Sequence, residues 1–257
     1  MPRLATPGDF PIATLPCEGG GHIAYRRRDG IEPGLMFLGG FRSDMSGTKA
    51  TALDDFAAAT GRAYTRFDYR GHGASSGRFE ELALGDWIAD GLEVLDRVAE
   101  GPQILIGSSM GAWVALHLAL LRPGRMAGLV TMAAAPDFTE ELIWARLDER
   151  QRERMRREGR IERPSAYAPE PDILTLRLIE DGRSHLLLGR PIALPCPARL
   201  LHGTADADVP WIFSLRLLDR LQSADARLTL IKDGDHRLSE PPQIEAMLAA
   251  VAELASR

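Results

Sequence analysis

The sequence predicts an α/β architecture: a mostly parallel central sheet with helices on both faces and a helical insertion above it. Three observations predict it. Short apolar runs of strand length alternate with helically spaced apolar residues along most of the 257 residues. Glycine-rich loops follow the strand-like runs. One of those loops, Gly107 to Gly111, sits between a strand and a helix as a sharp turn.

The elements follow in order. Leu35-Met-Phe-Leu38 ends in Gly39-Gly40 and reads as a buried strand entering a loop. Thr48 to Thr60 places Leu53, Phe56 and Ala57 on one side, with Gly61 as a C-terminal stop. Arg62 to Asp68 is the next strand, running into the loop Asp68-Tyr-Arg-Gly-His-Gly-Ala-Ser-Ser-Gly77. Residues 84 to 100 carry Trp87, Gly91, Val94, Leu95 and Val98 at helical spacing. Gln103-Ile-Leu-Ile106 is a strand, followed after Gly111 by a helix with Val114, Leu118 and Leu121 on one stripe. Leu129 to Met132, Arg199 to Leu201 and Leu228 to Ile231 are further strands. The last helix follows Ser239, a plausible N-cap, and shows Ile244, Met247, Leu248 and Val251.

Residues 137 to 195 break this alternation. Asp137 to about Gly159 reads as a helix that becomes highly charged after Leu147. A stretch bearing Pro164, Pro169 and Pro171 follows, then Ile173, Leu176 and Ile179. The chain is expected to form one domain over 1–257, with 137–195 as a lid above the carboxyl ends of the strands, where open α/β sheets bind ligands.

Composition narrows the function classes. Apolar residues make up 45% and charged residues 26%, with net charge −5. A mildly acidic chain lacks the cationic surface that nucleic-acid binding rests on, so no nucleic-acid partner is expected. No apolar run approaches the roughly 20 residues of a membrane span, so no spanning segment is expected. Met1 to Phe10 shows neither an apolar h-region nor an Arg/Ser-rich amphipathic stretch, and a cytoplasmic location is expected. Cys17 and Cys196 form no Cys-x-x-Cys or Cys/His cluster, which gives no structural metal site and favours two free thiols over a disulfide.

The chemistry gathers at Gly107-Ser108-Ser109-Met110-Gly111. It fits Gly-x-Ser-x-Gly between a strand and a helix, a turn that projects one hydroxyl from its apex. Only Ser109 has glycine at both minus two and plus two, so Ser109 rather than Ser108 is the candidate nucleophile. Its base is expected last in sequence. His236, in Gly234-Asp-His-Arg237, follows the final strand. Asp206, after the strand 199–201, would orient that base. The rival carboxylates are Asp208, two residues on, and Asp235, adjacent to His236. The backbone N–H groups of Met110 and Phe41 are the candidate oxyanion donors. This order and context define the α/β-hydrolase fold, with a serine–histidine–aspartate triad and no cofactor or metal.

The remaining histidines carry weaker signals. His72 in the glycine-rich loop and His202 at a strand end are read as structural, and His22 as a surface residue. His117 and His185 have no assignable role. Arg42 and Trp211, one residue beyond argued site features, are candidate substrate contacts. The stretch Arg146 to Arg163 holds eight arginines against five acids. It reads as a solvated helical face, with attraction of an acidic substrate as the alternative.

Five segments carry a family resemblance: Phe41 to Ala50, Arg66 to Gly71, Gly101 to Gly111, Leu201-His-Gly203 with Asp206 and Val209-Pro-Trp211, and Asp235-His-Arg237. On these the chain resembles the α/β-hydrolases that include the mitochondrial depalmitoylating acyl-protein thioesterase, which is also an acyl-glucuronide esterase. The Met-x-Gly-Thr-Lys-Ala stretch at Met45 to Ala50 is more specific than the triad motifs. The family's serine, aspartate and histidine fall on Ser109, Asp206 and His236. The resemblance implies hydrolysis of S-acyl thioesters or activated carboxylic esters, on a small molecule or an acylated protein. A lactonase or peptidase would use the same triad. A catalytically silent ligand receptor on this fold is the alternative from another class.

Overall fold

The computed structural model of the chain describes residues 10–18, 20–164 and 171–257. Residues 1–9 of the N-terminal reading, and 165–170 of the proline-bearing stretch, lie outside them. The described strands are β1 (Ala13–Pro16), β2 (His22–Arg28), β3 (Ile31–Leu38), β4 (Arg62–Phe67), β5 (Gln103–Ser108), β6 (Met126–Met132), β7 (Arg160–Arg163), β8 (Asp172–Thr175), β9 (Ala198–Gly203) and β10 (Ala226–Ile231). The described α-helices are α1 (Thr48–Thr60), α2 (Leu84–Arg97), α3 (Met110–Leu121), α4 (Glu149–Glu158), α5 (Leu176–Arg183), α6 (Ile212–Arg220) and α7 (Pro241–Ala255).

Eight strands form one sheet in the order β1-β2-β4-β3-β5-β6-β9-β10. From β4 to β10 every pairing is parallel, while β1–β2 and β2–β4 are antiparallel. This is the expected α/β-hydrolase fold. Strand residues alternate between two apolar layers, as period two requires. Met36, Leu38 and Leu105 pack with Trp87 of α2 and Trp113 and Leu118 of α3. Leu35, Phe37, Ile104 and Ile106 pack on the other face with Leu53 of α1 and Met247, Val251 and Leu254 of α7. Both faces of the central strands are covered, which explains their continuous apolar sequence. Burying each such aliphatic side chain contributes about 1.5–3 kcal/mol.

α1 is tied to the sheet by charge as well. Asp54 accepts from Arg28 Nη2 at 2.9 Å and from Arg66 Nη2 at 2.8 Å, and all three side chains are largely buried. Gly61 ends α1 in the left-handed conformation at φ 68°, the stop expected from glycine.

Several sequence expectations need correction. β1 is only four residues long and β2 ends in three arginines, and the pattern did not distinguish them from loop. Residues 139–146 form a π turn and a 3-10 turn, so Asp137–Gly159 is not one helix. The break comes at Asp148, whose side chain accepts from Gln151 N at 2.8 Å and caps α4. Glu240 rather than Ser239 precedes α7, with Pro241 at the first helical position and Gln243 bonding back to the Glu240 N–H. β7 and β8 pair as an antiparallel ribbon within the 137–195 segment, which the chain inserts between β6 and β9. Cys17 and Cys196 are free thiols. No helix of the described residues is long and apolar enough to cross a membrane.

Candidate active site

The loops at the carboxyl ends of β3, β5, β9 and β10 supply the expected residues. At the end of β5 the chain turns on Ser109, held at φ 54° and ψ −119°. A non-glycine residue in this region is uncommon and costly. The turn is over-determined by its neighbours. Ser109 N–H donates to Met132 O at 2.9 Å, and Ser109 O accepts from Ala112 N and Ala135 N. The flanking glycines are steric requirements. A Cβ on Gly107 would strike the backbone of Gly111 and Ala112, and one on Gly111 the carbonyls of Leu38 and Gly39. The helix can therefore approach the β3 end only if both positions lack a side chain.

His236 lies between Ser109 and Asp206. Its Nε2 is 3.0 Å from Ser109 Oγ and its Nδ1 is 2.8 Å from Asp206 Oδ2. The Asp206 side chain is wholly buried and the His236 ring nearly so, at 16% exposure. Burial pushes the Asp206 carboxyl up, but donors from His202, His236 and the Val209 backbone outweigh it and hold the group well below the usual carboxylate range. Asp206 Oδ1 accepts from Asp208 N at 3.0 Å and Val209 N at 2.8 Å, fixing the carboxylate plane.

The two rival carboxylates differ in placement. Asp235 Oδ1 accepts from Leu238 N at 2.9 Å and closes the turn after β10. Asp208 lines the cavity, and it is Asp206 Oδ2 that lies 2.8 Å from His236 Nδ1. Among the described residues, one cluster has the composition of a metal site: Asp206, Asp208 and His236, with ligand atoms within 4.8 Å of one another. Both His236 nitrogens and Asp206 Oδ2 are already engaged in the hydrogen-bonded array, so the cluster is that array.

Above Ser109 lies a cavity of about 530 Å³. Gly40, Phe41, Ser109, Met110 and His236 line its floor, and Phe138, Leu142, Ile143, Arg146, Arg163 and Asp172 come from the segment between β6 and β9. Gly40 is close to Ser109: a Cβ there would sit 3.4 Å from Ser109 Cβ. Among the described residues, the Phe41 and Met110 N–H groups donate to no acceptor. The Phe41 ring packs edge-on against Phe79 with centroids 4.8 Å apart, and against Phe138 at 5.8 Å.

The two suggested substrate contacts diverge. Arg42 lines the cavity, but its guanidinium lies 4.5 Å over the Phe79 ring and pairs with Asp172 at 3.5 Å and Glu80 at 3.6 Å. Trp211 is not among the cavity-lining residues; it stands before α6 at 37% exposure. The arginine-rich stretch is mostly self-paired. Arg154 and Arg157 bond Glu158, Arg156 bonds Glu149, and Arg152, Arg156 and Arg183 surround the Trp144 ring. That supports a solvated face for α4, and of the arginines from 146 to 163 only Arg146 and Arg163, which flank that helix, line the cavity.

Two participants had no functional signal in the sequence. His202, read as structural, donates from Nε2 to Asp206 Oδ2 at 3.0 Å. Lys49, inside the Met-x-Gly-Thr-Lys-Ala stretch, lines the cavity and donates to the Arg237 carbonyl beside His236 and to Ser239 Oγ. Burial pushes its ammonium down to about 8, with Asp235 opposing and Arg237 reinforcing.

The family model described as "Alpha/beta hydrolase family" matches residues 35–254. The chain belongs to that family. Curated relatives include the mitochondrial palmitoyl-protein thioesterase ABHD10 of Mus musculus, 41% identical over 91% of this chain and 78% of the relative. The Homo sapiens protein of the same name is 38% identical over 91% of this chain and 76% of the relative. Among solved structures, one from Agrobacterium vitis S4 is 41% identical with a TM-score of 0.91, covering 95% of this chain and 99% of that one. Mouse alpha/beta hydrolase domain-containing protein 10 is 37% identical with a TM-score of 0.89, covering 96% and 98%. The cytoplasmic expectation does not stand, because these curated relatives are named as mitochondrial proteins. The physical reason is that receptors read compartment from addressing segments, which net charge and apolar run length do not report.

Proposed function

We propose that this α/β-hydrolase cleaves carboxylic esters or thioesters through an acyl-enzyme on Ser109. One observation carries the reading: His236 hydrogen-bonds Ser109 Oγ with one nitrogen and the ionised, buried Asp206 with the other. An imidazole so held has its Nδ1 protonated and its Nε2 lone pair directed at the hydroxyl.

In the first half-reaction Ser109 Oγ attacks the acyl carbon as its proton passes to His236 Nε2. The resulting imidazolium is stabilised by Asp206. The unpartnered Phe41 and Met110 N–H groups receive the carbonyl oxygen as it becomes an oxyanion, and the α3 N-terminus adds favourable field. Collapse expels the alcohol or thiol, which takes the proton from His236 Nε2. Water, deprotonated by the same nitrogen, then attacks the acyl carbon, and Ser109 is regenerated with its proton. No step calls on a metal or cofactor.

The apolar side chains of Phe41, Phe138, Leu142 and Ile143 suit the acyl portion of the substrate. The described residues of 137–195 act as a lid over that cavity within a single domain. The names of the curated relatives favour thioesters, and an acylated protein or a small-molecule ester is the substrate class.

The test is hydrolysis of matched p-nitrophenyl esters and acyl-thioesters of two to sixteen carbons by wild type and Ser109→Ala. Turnover of one class by wild type, with a loss of about 10³-fold or more in the variant, is the expected result. An equally active alanine variant overturns the assignment of Ser109, and turnover of neither class overturns the ester and thioester reading.

A further inference from the structure

The loop that carries Phe41 has an unusual support. Arg42 has φ 56°, a left-handed conformation unfavourable for a long side chain. The turn that contains it, Gly40–Ser43, is closed by Ser43, whose N–H and Oγ both donate to Gly40 O, at 3.2 and 2.9 Å. Gly40 in turn leaves only 3.3–3.4 Å between a Cβ and Ser108 O or Ser109 Cβ. The exit from this turn is the Arg42 N–H, and its acceptor is not a backbone carbonyl but His72 Nε2, at 3.2 Å.

His72 is only 5% exposed. Its Nδ1 lies 3.3 Å from Arg70 O, an acceptor that also takes Trp87 Nε1 at 3.2 Å. Rings of Tyr69, Phe79 and Trp87 wall it at centroid distances of 5.6, 5.1 and 5.3 Å. Nδ1 therefore carries the hydrogen and Nε2 the lone pair. The neighbouring charges are already matched: Arg70 Nε bonds Asp90 Oδ1 at 2.6 Å, Arg42 pairs with Glu80 and Asp172, and Asp68 accepts the Met45 and Ala74 N–H groups. Among the described residues no carboxylate contacts the ring. Burial pushes its pKa down to about 4, the Arg70 carbonyl opposing and Arg42 reinforcing, so the ring is neutral at pH 7.

We propose that His72 is a positioning residue for the reaction: its Nε2 lone pair, by accepting the Arg42 N–H, holds the Gly40–Phe41 turn where the Phe41 N–H can receive the oxyanion. This rests on the acyl-enzyme reading and names a residue on which that chemistry depends indirectly. Any aromatic side chain would fill the cage, but only one with an acceptor at the Nε2 position would fix the turn. Displacing a catalytic donor by about 1 Å costs on the order of 10²-fold in rate.

The experiment compares wild type, His72→Phe, His72→Gln and Ser109→Ala on one ester substrate. Melting temperature and the affinity of a trifluoromethyl ketone transition-state analogue are measured alongside. His72→Phe keeps the ring volume and loses the lone pair. It should lower kcat by about 10- to 100-fold with KM within about threefold, and weaken the ketone by a similar factor. His72→Gln brings an amide oxygen toward the Nε2 position and should recover most of that loss. The wild-type 1H–15N spectrum should show the Nδ1–H tautomer. A His72→Phe protein with wild-type kcat, a His72→Gln protein as impaired as His72→Phe, or an Nε2–H tautomer overturns the proposal, and the last remains decisive even if His72→Phe does not fold. Activity retained by Ser109→Ala would instead sink the acyl-enzyme reading itself, which separates the two failures.

Discussion

His202 Nε2 lies 3.0 Å from Asp206 Oδ2, the same oxygen that takes His236 Nδ1 at 2.8 Å. The His202 ring is fully buried, with Nδ1 2.7 Å from Ser214 Oγ and Nε2 also 2.9 Å from Val209 O. A nitrogen facing a carboxylate and a carbonyl must carry the hydrogen, and the Ser214 hydroxyl then donates to Nδ1. His202 is thus a donor that helps fix the same aspartate oxygen that His236 bonds. Replacing it with leucine removes a charge-assisted bond inside the protein. The expected outcome is a loss of about 1.5–3 kcal/mol in urea unfolding and a kcat reduced by about tenfold, with KM little changed. A variant with wild-type kcat would show that Asp206 is held well enough by the Val209 and Asp208 N–H groups alone.

Two glycines beside Ser109, Gly111 and Gly40, should respond differently to alanine. On Gly111 a Cβ would collide with the Leu38 and Gly39 carbonyls, which are backbone and cannot rotate away. Gly111→Ala is therefore expected to push α3 off the β3 end, giving little folded protein or a loss of more than about 3 kcal/mol. On Gly40 the nearest atoms would be 3.3 and 3.4 Å away, so the loop need give only a few tenths of an ångström. Gly40→Ala should fold and melt near wild type but turn over more slowly. The reverse ranking in thermal melts would mean that the strand-to-helix turn tolerates more movement than its contacts imply.

These contrasts show what sequence reasoning reached. The clustering of Ser109, Asp206 and His236 was legible because each sits in a loop directly after a strand, and because chain order and glycine spacing restrict the choices. α1 was legible to the residue because Gly61 is a steric stop. His202 was not, since a histidine ending a buried strand has the same pattern whether it bonds a serine alone or the site aspartate as well. That distinction depends on the return of residues 204–209 over the ring, a tertiary contact. Trp211 was misplaced for a related reason: proximity in sequence to Asp206 does not set the direction of the chain after Pro210. The π turn at 139–143 carries ordinary helical spacing, so periodicity alone could not separate it from α4.

Asp172, at the start of β8, joins the inserted segment to the loop beside Ser109. It pairs with Arg42 at 3.5 Å and with Arg163 at 3.5 Å. Such partly exposed pairs contribute only about 0–1 kcal/mol, so Asp172→Asn should not shift the melting temperature appreciably. It should loosen the contact between insertion and loop, raising KM for long-chain substrates about two- to fivefold with kcat unchanged. A drop in kcat at constant KM would place Asp172 with the reacting groups instead.

Two buried imidazoles should contribute a loss of stability toward acid. Burial pushes His72 and His117 down to about 4 from an ordinary 6.5, against the opposing Arg70 and His185 carbonyls. Between pH 6.5 and 4 the unfolded chain therefore binds these protons while the folded chain does not. Stability falls as pH falls, with a slope of up to about 1.4 kcal/mol per pH unit for each ring. Asp90 works the other way. Burial raises it to about 6 from 3.8, despite the Arg70 bonds that lower it, so over that interval the folded state holds the extra proton. The two imidazoles contribute a loss of stability toward acid, against the carboxyls of Asp90, Asp68 and Asp137, which burial raises. Below pH 4 the depressed Asp206 carboxyl extends it, since its stabilisation disappears as it protonates in the folded state. His117→Gln removes one of the two titrating rings and keeps a donor toward His185 O, 3.0 Å from Nε2 in the wild type. Urea unfolding at half-unit steps from pH 4.5 to 7 should show its slope flatter than wild type by about one proton. An unchanged slope would mean that His117 is reached by water and protonates in the folded protein as it does in the unfolded chain.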